Sequence, residues 1–261
     1  MRIIISGYGK MGALIERRAL EAGWTVAAVI DPGYEEKFTP AGSPVYAGIA
    51  DGIAAAADGE RPVALDFTHP SCACDNIAAF TRRGIPLVVG TTGWHDRLAE
   101  MTALVTRGGA CLLWASNFSL GVHLFYKVAA YAAALFGAYT EYDCAGYEVH
   151  HNKKADSPSG TARDLAQKVI EASGGRKTRA VFDKLDRAPC ADELHIASLR
   201  CGAVPGTHGL VFDSAADSME LVHRARSRDA LVSGALIAAA WLARQAAAGK
   251  SGVWTFEDAL A

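Results

Sequence analysis

The feature that most constrains the fold of this 261-residue chain is a glycine motif directly after its first apolar run. Gly7-Tyr8-Gly9-Lys10-Met11-Gly12 follows a β-branched run at residues 2–6 and opens a helical pattern at residues 10–22. In this strand–turn–helix context, G-x-G-x-x-G is typical of dinucleotide-binding domains. The three glycines permit a tight turn, backbone approach to a pyrophosphate, and close helix–strand packing, and the helix N-terminus attracts phosphate. The sequence therefore predicts a Rossmann-type βα unit.

Asp31 ends a second apolar run, at residues 25–30. An acid at this place in such domains accepts hydrogen bonds from the adenosine ribose. Pro32 and Gly33 follow, with no adjacent Arg to bind a 2′-phosphate, so NADH is favoured over NADPH. Lys37 in the same loop keeps NADPH open. The alternative interpretation is a glycine-rich turn followed by an unrelated acid.

The order of apolar runs predicts two domains. Short apolar runs alternate with helical patterns up to about residue 118, which favours a parallel sheet covered by helices on both faces. After residue 120 the predicted elements are a long helix, a strand at 143–150, a helix at 161–172, three strands at 193–200, 208–213 and 219–224, and a final helix at 230–248. The final helix has no strand of its own to cover and is expected to pack on the first domain. We predict an α/β fold: a Rossmann-type parallel sheet domain, residues 1–118 and 229–261, with an inserted α+β substrate domain, residues 119–228, built on an open mixed sheet.

A second informative stretch is Glu148-Val149-His150-His151-Asn152-Lys153-Lys154-Ala155-Asp156-Ser157-Pro158-Ser159-Gly160-Thr161-Ala162. Its Pro-Ser-Gly-Thr segment opens a predicted helix, where free backbone N–H groups and hydroxyls form a receptor for a carboxylate. His151 and Lys154 can add charge-assisted hydrogen bonds. The stretch thus predicts a pocket for a small, multiply anionic substrate. A histidine there is a candidate general acid, since a bound dianion raises its pKa while nearby lysines lower it.

Other interpretations of this stretch are a solvated loop with Ser159 or Thr161 as a helix N-cap, or a metal site. Adjacent histidines on a strand point to opposite faces and the lysines repel a cation, so no metal is predicted. The formal net charge is −2, which provides no basic field for nucleic acid. No uninterrupted apolar run reaches about 18 residues, and the first six residues are too few for a signal peptide. We therefore expect a cytoplasmic protein without a nucleic-acid or membrane partner.

Residues 148–162 closely resemble the E-x-H-H-x-x-K-x-D-x-P-S-G-T-A motif of the dihydrodipicolinate reductase family. Further similar segments, in the same order, are the glycine motif, Leu65-Asp66-Phe67-Thr68, Gly90-Thr91-Thr92-Gly93, Ser116-Asn117-Phe118-Ser119-Leu120-Gly121, Val204-Pro205-Gly206-Thr207-His208 and Trp241-Leu242. The resemblance covers essentially the whole chain. It implies an oxidoreductase of diaminopimelate and lysine biosynthesis, which uses NADH or NADPH to reduce 4-hydroxy-tetrahydrodipicolinate to tetrahydrodipicolinate by hydride transfer to ring C4.

The resemblance also implies residue roles. His150 matches the position of the family's acid/base, and Lys154 matches a second proton donor. The positions that match substrate contacts are His151, Ser159, Gly160 and Thr161. Those that match the cofactor site and the hinge are Gly90, Thr91, Thr92, Ala115, Ser116, Asn117 and Phe118, in addition to the glycine motif and Asp31. The family further implies a small dicarboxylate substrate and a homotetramer assembled through the substrate-domain sheet.

The chain departs from the family pattern in two places that concern the cofactor. Its glycine loop is one residue shorter than the common G-x-x-G-x-M-G form and has Lys10 where Arg is usual, and Asp31-Pro32 replaces a more usual Glu-Arg pair. Two other functions stay open from sequence: a catalytically silent NAD-binding regulator, and a related reductase or dehydrogenase for another small amino-acid-derived substrate.

Overall fold

The computed structural model describes residues 1–182 and 185–260, and it divides into two compact units. Unit 1 contains Met1–Ser119 and Leu231–Ala261, and unit 2 contains Leu120–Ala230. The predicted boundaries, after residues 118 and 228, lie one and two residues from these divisions. Residue 261, the end of the predicted first domain, lies outside the described residues.

The regular elements follow one another in an order that separates the two units. In chain order they are β1 (Arg2–Ser6), α1 (Lys10–Glu21), β2 (Thr25–Ile30), β3 (Val45–Tyr46), α2 (Ile49–Ala55), β4 (Val63–Asp66), α3 (Pro70–Arg82), β5 (Leu87–Val89), α4 (Leu98–Arg107), β6 (Cys111–Trp114), α5 (Leu120–Gly137), β7 (Asp143–His150), α6 (Gly160–Ala172), β8 (Arg179–Val181), β9 (Glu193–Arg200), β10 (Thr207–Asp213), β11 (Ser218–Arg224), α7 (Asp229–Ala247) and β12 (Gly252–Thr255).

Unit 1 is built on a seven-stranded parallel sheet in the order β12-β6-β5-β4-β1-β2-β3. Helices cover both faces of this sheet, which explains why its inner strands are continuously apolar. Ile3 and Ile5 pack with residues of α1 and α7, whereas Ile4 packs on the other face with Ile77 and Phe80 of α3. The Rossmann-type fold predicted from the sequence is confirmed. The strand order reverses between β1 and β4, and such a reversal is where α/β sheets bind ligands.

The C-terminal segment returns to unit 1, where the last helix packs in the core as predicted. Val232, Ala235 and Leu242 of α7 are fully buried. Gly234 approaches the backbone of Phe118 so closely that a Cβ there would lie 1.7 Å from the Phe118 carbonyl oxygen. A strand that the sequence did not predict follows this helix: β12 pairs in parallel with β6 and becomes the edge of the sheet.

Unit 2 is built on a five-stranded mixed sheet in the order β11-β10-β7-β9-β8. This sheet agrees with the open mixed sheet predicted from the sequence. The central strand β7 runs antiparallel to β10 and parallel to β9. Apolar residues of α5 and α6, among them Ala129 and Leu165, pack with Leu194, Ile196 and Leu210 of the strands. The two helices therefore bury one face of the sheet.

By length and composition, α5 and α7 are each apolar enough to cross a membrane. Both contribute buried residues to the core of a unit, including Ala129 of α5 and Ala238 of α7. Core helices of globular proteins pass the same test, so these helices are weak evidence for a membrane span.

Candidate functional site

The glycine motif forms the turn between β1 and α1. Gly7 has a φ of +90°, and a Cβ at this position would lie 2.5 Å from the carbonyl oxygen of Phe67. A Cβ at Gly12 would lie 2.1 Å from the carbonyl oxygen of Gly7. At Gly9, directly before α1, a Cβ would meet no described atom within 4 Å. The first and third glycines thus close the turn, while the second keeps the helix N-terminus accessible to an anion.

Asp31 connects this turn to the loop after β2. Its Oδ2 accepts a hydrogen bond from the backbone N–H of Tyr8 at 2.7 Å, and its Oδ1 accepts one from Gly33 at 2.8 Å. Both bonds are charge-assisted. The carboxylate therefore orders the glycine loop itself, in addition to its predicted role toward a ribose. Carboxylate oxygens have two acceptor sites each, so one site on each oxygen is left for a ligand.

A second carboxylate, buried behind the glycine loop, also links this loop to the residues that follow β2. Glu16 of α1 is 2% exposed and accepts hydrogen bonds from the hydroxyls of Tyr8 and Thr39. Burial and the adjacent Glu16 carboxylate raise the pKa of the Tyr8 phenol. The ring of Tyr8 also meets that of Tyr34 edge-on, with 5.1 Å between centroids. The second residue of the motif, Tyr8, thus fixes the loop of residues 31–43 against α1.

A cleft of about 500 Å³ opens at the C-terminal edge of the parallel sheet, where the strand order reverses. Its lining contains three predicted cofactor residues, Gly7, Gly9 and Asp31. The remaining lining residues are Ser6, Ile30, Pro32, Ala47, Ile49, Phe67, Thr68, His69, Cys72 and Asn76. A cleft of this size suits a small-molecule or cofactor ligand.

Asp66 holds the far side of this cleft in place. It is fully buried at the end of β4 and accepts hydrogen bonds from the side chains of Thr91 (2.6 Å), Asn76 (2.7 Å) and Thr68 (2.9 Å). A Cβ at Gly90 would lie 2.1 Å from the ring of Phe67, so only glycine allows that ring to lie here. The predicted segment Gly90–Thr92 is therefore fixed to the cleft wall but does not line the cleft.

The last predicted cofactor segment, residues 115–118, follows β6 at the same edge of the sheet. Ala115 is buried and its N–H bonds to the carbonyl of Val89, and Phe118 is 2% exposed. Its ring packs against Phe67, at 6.0 Å, and against Phe256, at 5.2 Å. Phe118 is thus a core residue of unit 1, and a direct contact of this segment with the cofactor stays a prediction.

In unit 2 the predicted acid/base residue lies on β7, where strand register assembles a polar face. Glu148 and His150 alternate along β7 and share one face. Ser198 on β9 and His208 on β10 lie directly opposite Glu148, and Arg200 lies opposite His150. Five polar side chains from three strands therefore meet on one side of the sheet.

Glu148 is the centre of this polar face and its side chain is completely buried. Oε1 accepts hydrogen bonds from the backbone N–H of Ser159 (3.0 Å), the hydroxyl of Ser198 (2.8 Å) and the guanidinium of Arg200 (3.2 Å). Oε2 accepts one from the Ser159 hydroxyl and lies 3.5 Å from Nε2 of His208. Burial alone would raise the pKa of Glu148, but the hydrogen bonds from His208, Ser159 and Ser198 outweigh burial and keep the pKa well below its usual range.

His150 lies beside this carboxylate, with Nδ1 3.2 Å from Oε2 of Glu148, and is 7% exposed. Its other ring nitrogen, Nε2, lies next to Gly206, where a Cβ would be only 3.1 Å away. Burial lowers the pKa of His150 to about 4; Glu148 acts against this shift, and His208 and Lys154 add to it. His150 is therefore neutral at pH 7 in the free protein.

The loop after β7 and the start of α6 contain the predicted anion-binding groups. Lys154 pairs with Asp156, with 2.7 Å between the ammonium and the carboxylate. Ser159 is the N-cap of α6, and its hydroxyl accepts the N–H of Ala162 at 3.1 Å while donating to Glu148. A Cβ at Gly160 would meet no described atom within 4 Å, and Gly160 is exposed. The helix start is thus accessible through Gly160, whereas the Ser159 hydroxyl is already bonded within the protein.

Glu148, His150 and His208 place potential ligand atoms within 4.8 Å of one another, as a metal site with two histidines and a carboxylate would. However, both oxygens of Glu148 already accept hydrogen bonds, and the Arg200 guanidinium lies 3.2 Å from one of them. A cation would have to displace these donors and would face a positive charge. This arrangement favours a hydrogen-bonded polar cluster over a metal site.

The sequence prediction did not assign a site role to Glu148, Ser198, Arg200 or His208. The available signal was the alternation of polar residues along two strands, Glu148 with His150 and Ser198 with Arg200. That alternation puts each pair on one face of its strand, but only the register shows that the two pairs are neighbours.

Comparisons with known proteins agree with this geometry. A family model described as "Dihydrodipicolinate reductase, N-terminus" matches residues 1–118, and one described as "Dihydrodipicolinate reductase, C-terminus" matches residues 121–260. The chain is 34% identical over 260 residues to the 4-hydroxy-tetrahydrodipicolinate reductase of Christiangramia forsetii, covering 100% of this chain and 98% of the relative. It is 33% identical to the enzyme of the same name from Archaeoglobus fulgidus, covering 100% of both chains. The structure of dipicolinate-bound dihydrodipicolinate reductase from Paenisporosarcina sp. TG-14 has the same fold, with a TM-score of 0.76 at 24% identity, covering 99% of this chain and 98% of that one.

Proposed function

Because the chain belongs to the dihydrodipicolinate reductase family, we propose that it reduces 4-hydroxy-tetrahydrodipicolinate to tetrahydrodipicolinate with NADH or NADPH, in diaminopimelate and lysine biosynthesis. The observation that carries this proposal is the match of both family models, which together span residues 1–118 and 121–260. The protein is an oxidoreductase, and each of its two units carries a candidate site of its own.

The residues of unit 1 fit a dinucleotide. The N-terminus of α1, left open at Gly9, receives the pyrophosphate, and the carboxylate of Asp31 accepts the ribose hydroxyls. When bound, the reduced nicotinamide supplies the hydride that goes to C4 of the substrate ring. Glu35 and Glu36 add two negative charges to the loop that contains Asp31, against one positive charge from Lys37. We therefore propose that NADH binds more tightly than NADPH, whose 2′-phosphate would meet this charge.

The start of α6 receives one carboxylate of the substrate. Gly160 and Thr161 form the first turn of the helix, where the dipole attracts anions. Lys154 and His151, from the preceding loop, provide further donors. Glu148 holds Ser159 and so fixes the position of this helix start.

His150 and Lys154 provide the protons in this proposal. Water leaves the hydroxylated ring, hydride adds at C4, and a proton goes to the neighbouring carbon. His150 is neutral in the free protein, and the two carboxylates of the substrate raise its pKa, so that Nε2 gains the proton that it delivers. The ammonium of Lys154 is the second donor: it protonates the ring hydroxyl, which leaves as water, and the resulting amine takes up the proton that the neighbouring ring carbon loses in that step.

We also propose a homotetramer that acts in the cytoplasm, as the family resemblance implies. Exposed apolar side chains on α5 support association of unit 2 through this helix, in addition to the sheet surface that the family resemblance implies, because monomers rarely expose contiguous apolar surface. These are Leu124, Val128, Tyr131 and Leu135, which recur at helical spacing and are 49–68% exposed. Light scattering on the purified protein, coupled to size-exclusion chromatography, measures the assembly directly.

The test of the reaction is NADH and NADPH oxidation, followed at 340 nm, with substrate made in place by dihydrodipicolinate synthase from pyruvate and aspartate semialdehyde. Oxidation that depends on the synthase supports the proposed function. With active synthase and folded protein, an unchanged absorbance would contradict it and would favour a binding-only regulator or another substrate. The ratio of rates with the two cofactors tests the preference for NADH.

A further inference from the structure

The buried carboxylate of Glu148 has more bonding partners than the packing of a strand requires. Its oxygens take two donors from Ser159, one from Ser198 and one from Arg200, and Nδ1 of His150 lies 3.2 Å away. These partners come from α6, β9 and β7. Nδ1 of His150 has no hydrogen-bond partner among the described residues, so Glu148 acts on the proposed acid through its charge at 3.2 Å, whereas it bonds directly to the residue that caps the helix start.

We propose that Glu148 is the positioning residue of this active site: it holds the His150 imidazole with Nε2 directed away from the carboxylate, and it fixes the N-terminus of α6 for the substrate carboxylate. This inference rests on the proposed function of His150 and α6. It adds a residue that touches neither substrate nor cofactor and acts through two groups that do.

The charge of the Glu148 carboxylate is what an amide cannot replace. The backbone N–H of Ser159 and the Arg200 guanidinium can only donate, so the single acceptor oxygen of an amide would take the place of Oε1. Its NH₂ group would then face the Ser159 hydroxyl, which can accept as well as donate, and Nδ1 of His150. Glu148→Gln, nearly identical in shape, therefore keeps the hydrogen bonds at Oε1 but removes the buried counter-charge of Arg200 and the negative charge beside His150.

Charged groups from every neighbouring element act on His150. Glu148, on the same strand, favours its protonated form, while Lys154 in the following loop, Arg200 on β9 and His208 on β10 disfavour that form. Glu148 and Arg200 thus affect the pKa of His150 in opposite directions. A general loss of structure would not reproduce opposite shifts from two neighbouring substitutions.

The experiment measures kcat against pH for the full-length enzyme and for Glu148→Gln and Arg200→Gln. A general acid must be protonated, so kcat falls as pH rises through the pKa of His150 in the substrate complex. We expect this fall to move to lower pH by about one unit or more in Glu148→Gln, with kcat at pH 7 lowered at least about tenfold, and to move to higher pH in Arg200→Gln. The KM for NADH should change less than twofold in both variants.

Glu193→Gln is the matched control. Glu193 is also buried on β9 and pairs with Arg187 at 2.7 Å and Arg179 at 3.0 Å, but it is bonded to none of the groups around His150. We expect a lower Tm in this variant with the wild-type pH profile of kcat. A pH profile that moves in Glu193→Gln would contradict a specific role of Glu148.

The outcomes separate this inference from the proposed function. Wild-type protein without synthase-dependent turnover contradicts the proposed function. An active wild type whose pH profile is unchanged in Glu148→Gln, or shifted in the same direction by both variants, contradicts the positioning role alone. If Glu148→Gln does not fold, Glu148→Asp decides, because it keeps the charge but withdraws the carboxylate from His150. A fall of kcat at lower pH in that variant supports the inference, and an unchanged pH profile overturns it.

Discussion

Replacing Asp31 separates two roles that one carboxylate fulfils in this protein. Asp31 is proposed to bind the ribose of the cofactor, and it also accepts the N–H groups of Tyr8 and Gly33 at 2.7 and 2.8 Å. Asp31→Ala therefore removes the acceptor for the ribose 2′-hydroxyl, a group that is free in NADH and phosphorylated in NADPH. The substitution also releases the glycine loop, which both cofactors use. We expect a loss of NADH affinity larger than the loss of NADPH affinity, together with a lower Tm.

The magnitudes follow from the bonds that are broken. A hydrogen bond to a charged group contributes about 1.5–3 kcal/mol, so losing the bond from the ribose 2′-hydroxyl should raise the Kd of NADH about 10-fold to 150-fold relative to that of NADPH. The N–H of Gly33 is exposed and water can replace its partner, whereas that of Tyr8 is half-buried. We expect a net loss of about 2 kcal/mol in the free energy of unfolding, which corresponds to a drop in Tm of roughly 4–8 °C.

The assay is a fluorescence titration of each reduced cofactor into wild-type protein, Asp31→Ala and Asp31→Asn, with Tm measured by calorimetry. Asp31→Asn keeps one acceptor oxygen for the loop but loses the charge, so we expect a smaller drop in Tm and the same loss of NADH preference. The decisive quantity is the ratio of the two dissociation constants. An equal loss of affinity for NADH and NADPH in both variants would refute the ribose contact and leave Asp31 with the loop alone.

Four further substitutions, one of them a control, test the site. His150→Gln should lower kcat at least about 100-fold with little change in KM, because proton donation acts in the transition state; steady-state turnover equal to wild type would remove His150 from the mechanism. Lys154→Ala should lower kcat and raise KM, since the ammonium serves binding and proton transfer, whereas Asp156→Ala, which removes only its exposed partner, should change KM less than threefold. Gly12→Ala would place a Cβ 2.1 Å from the carbonyl oxygen of Gly7, so NADH binding measured by calorimetry should weaken at least about tenfold; unchanged affinity would contradict the role of the turn.

Local sequence predicted unit 1 well because its strands carry their own signals. Ile3, Ile4 and Ile5 are buried from both sides, and a run that is apolar at every position is what a parallel strand between two helix layers needs. The strand β12 escaped prediction because all four of its residues are half-buried and it lies at the edge of the sheet. Because an edge strand is covered on fewer sides than an inner strand, its sequence needs a less regular pattern of apolar residues.

The candidate site was predictable only where it is local. His150, Lys154 and the N-cap residue Ser159 lie within one continuous stretch, so motif and helix-start chemistry pointed to them. The neighbours of His150 on the other strands do not lie in this stretch. Arg200 and His208 reach this group through the pairing of β7 with β9 and β10, and register between distant strands is set by the whole sheet.

The close contact between Phe118 and Gly234 also bears on how such a chain can be rebuilt. The chain leaves unit 1 after Ser119 and re-enters it at Leu231, within about one helical turn of Gly234. If residues 120–230 were removed, the two chain ends left in unit 1 would therefore lie close together. Joining them needs only a short loop, and closing a short loop costs little entropy. Unit 1 can therefore be rejoined by a short linker into a free-standing dinucleotide domain, and the same junction can accept a different insert. Two crossings at one place make unit 2 a separable insertion in the chain of unit 1.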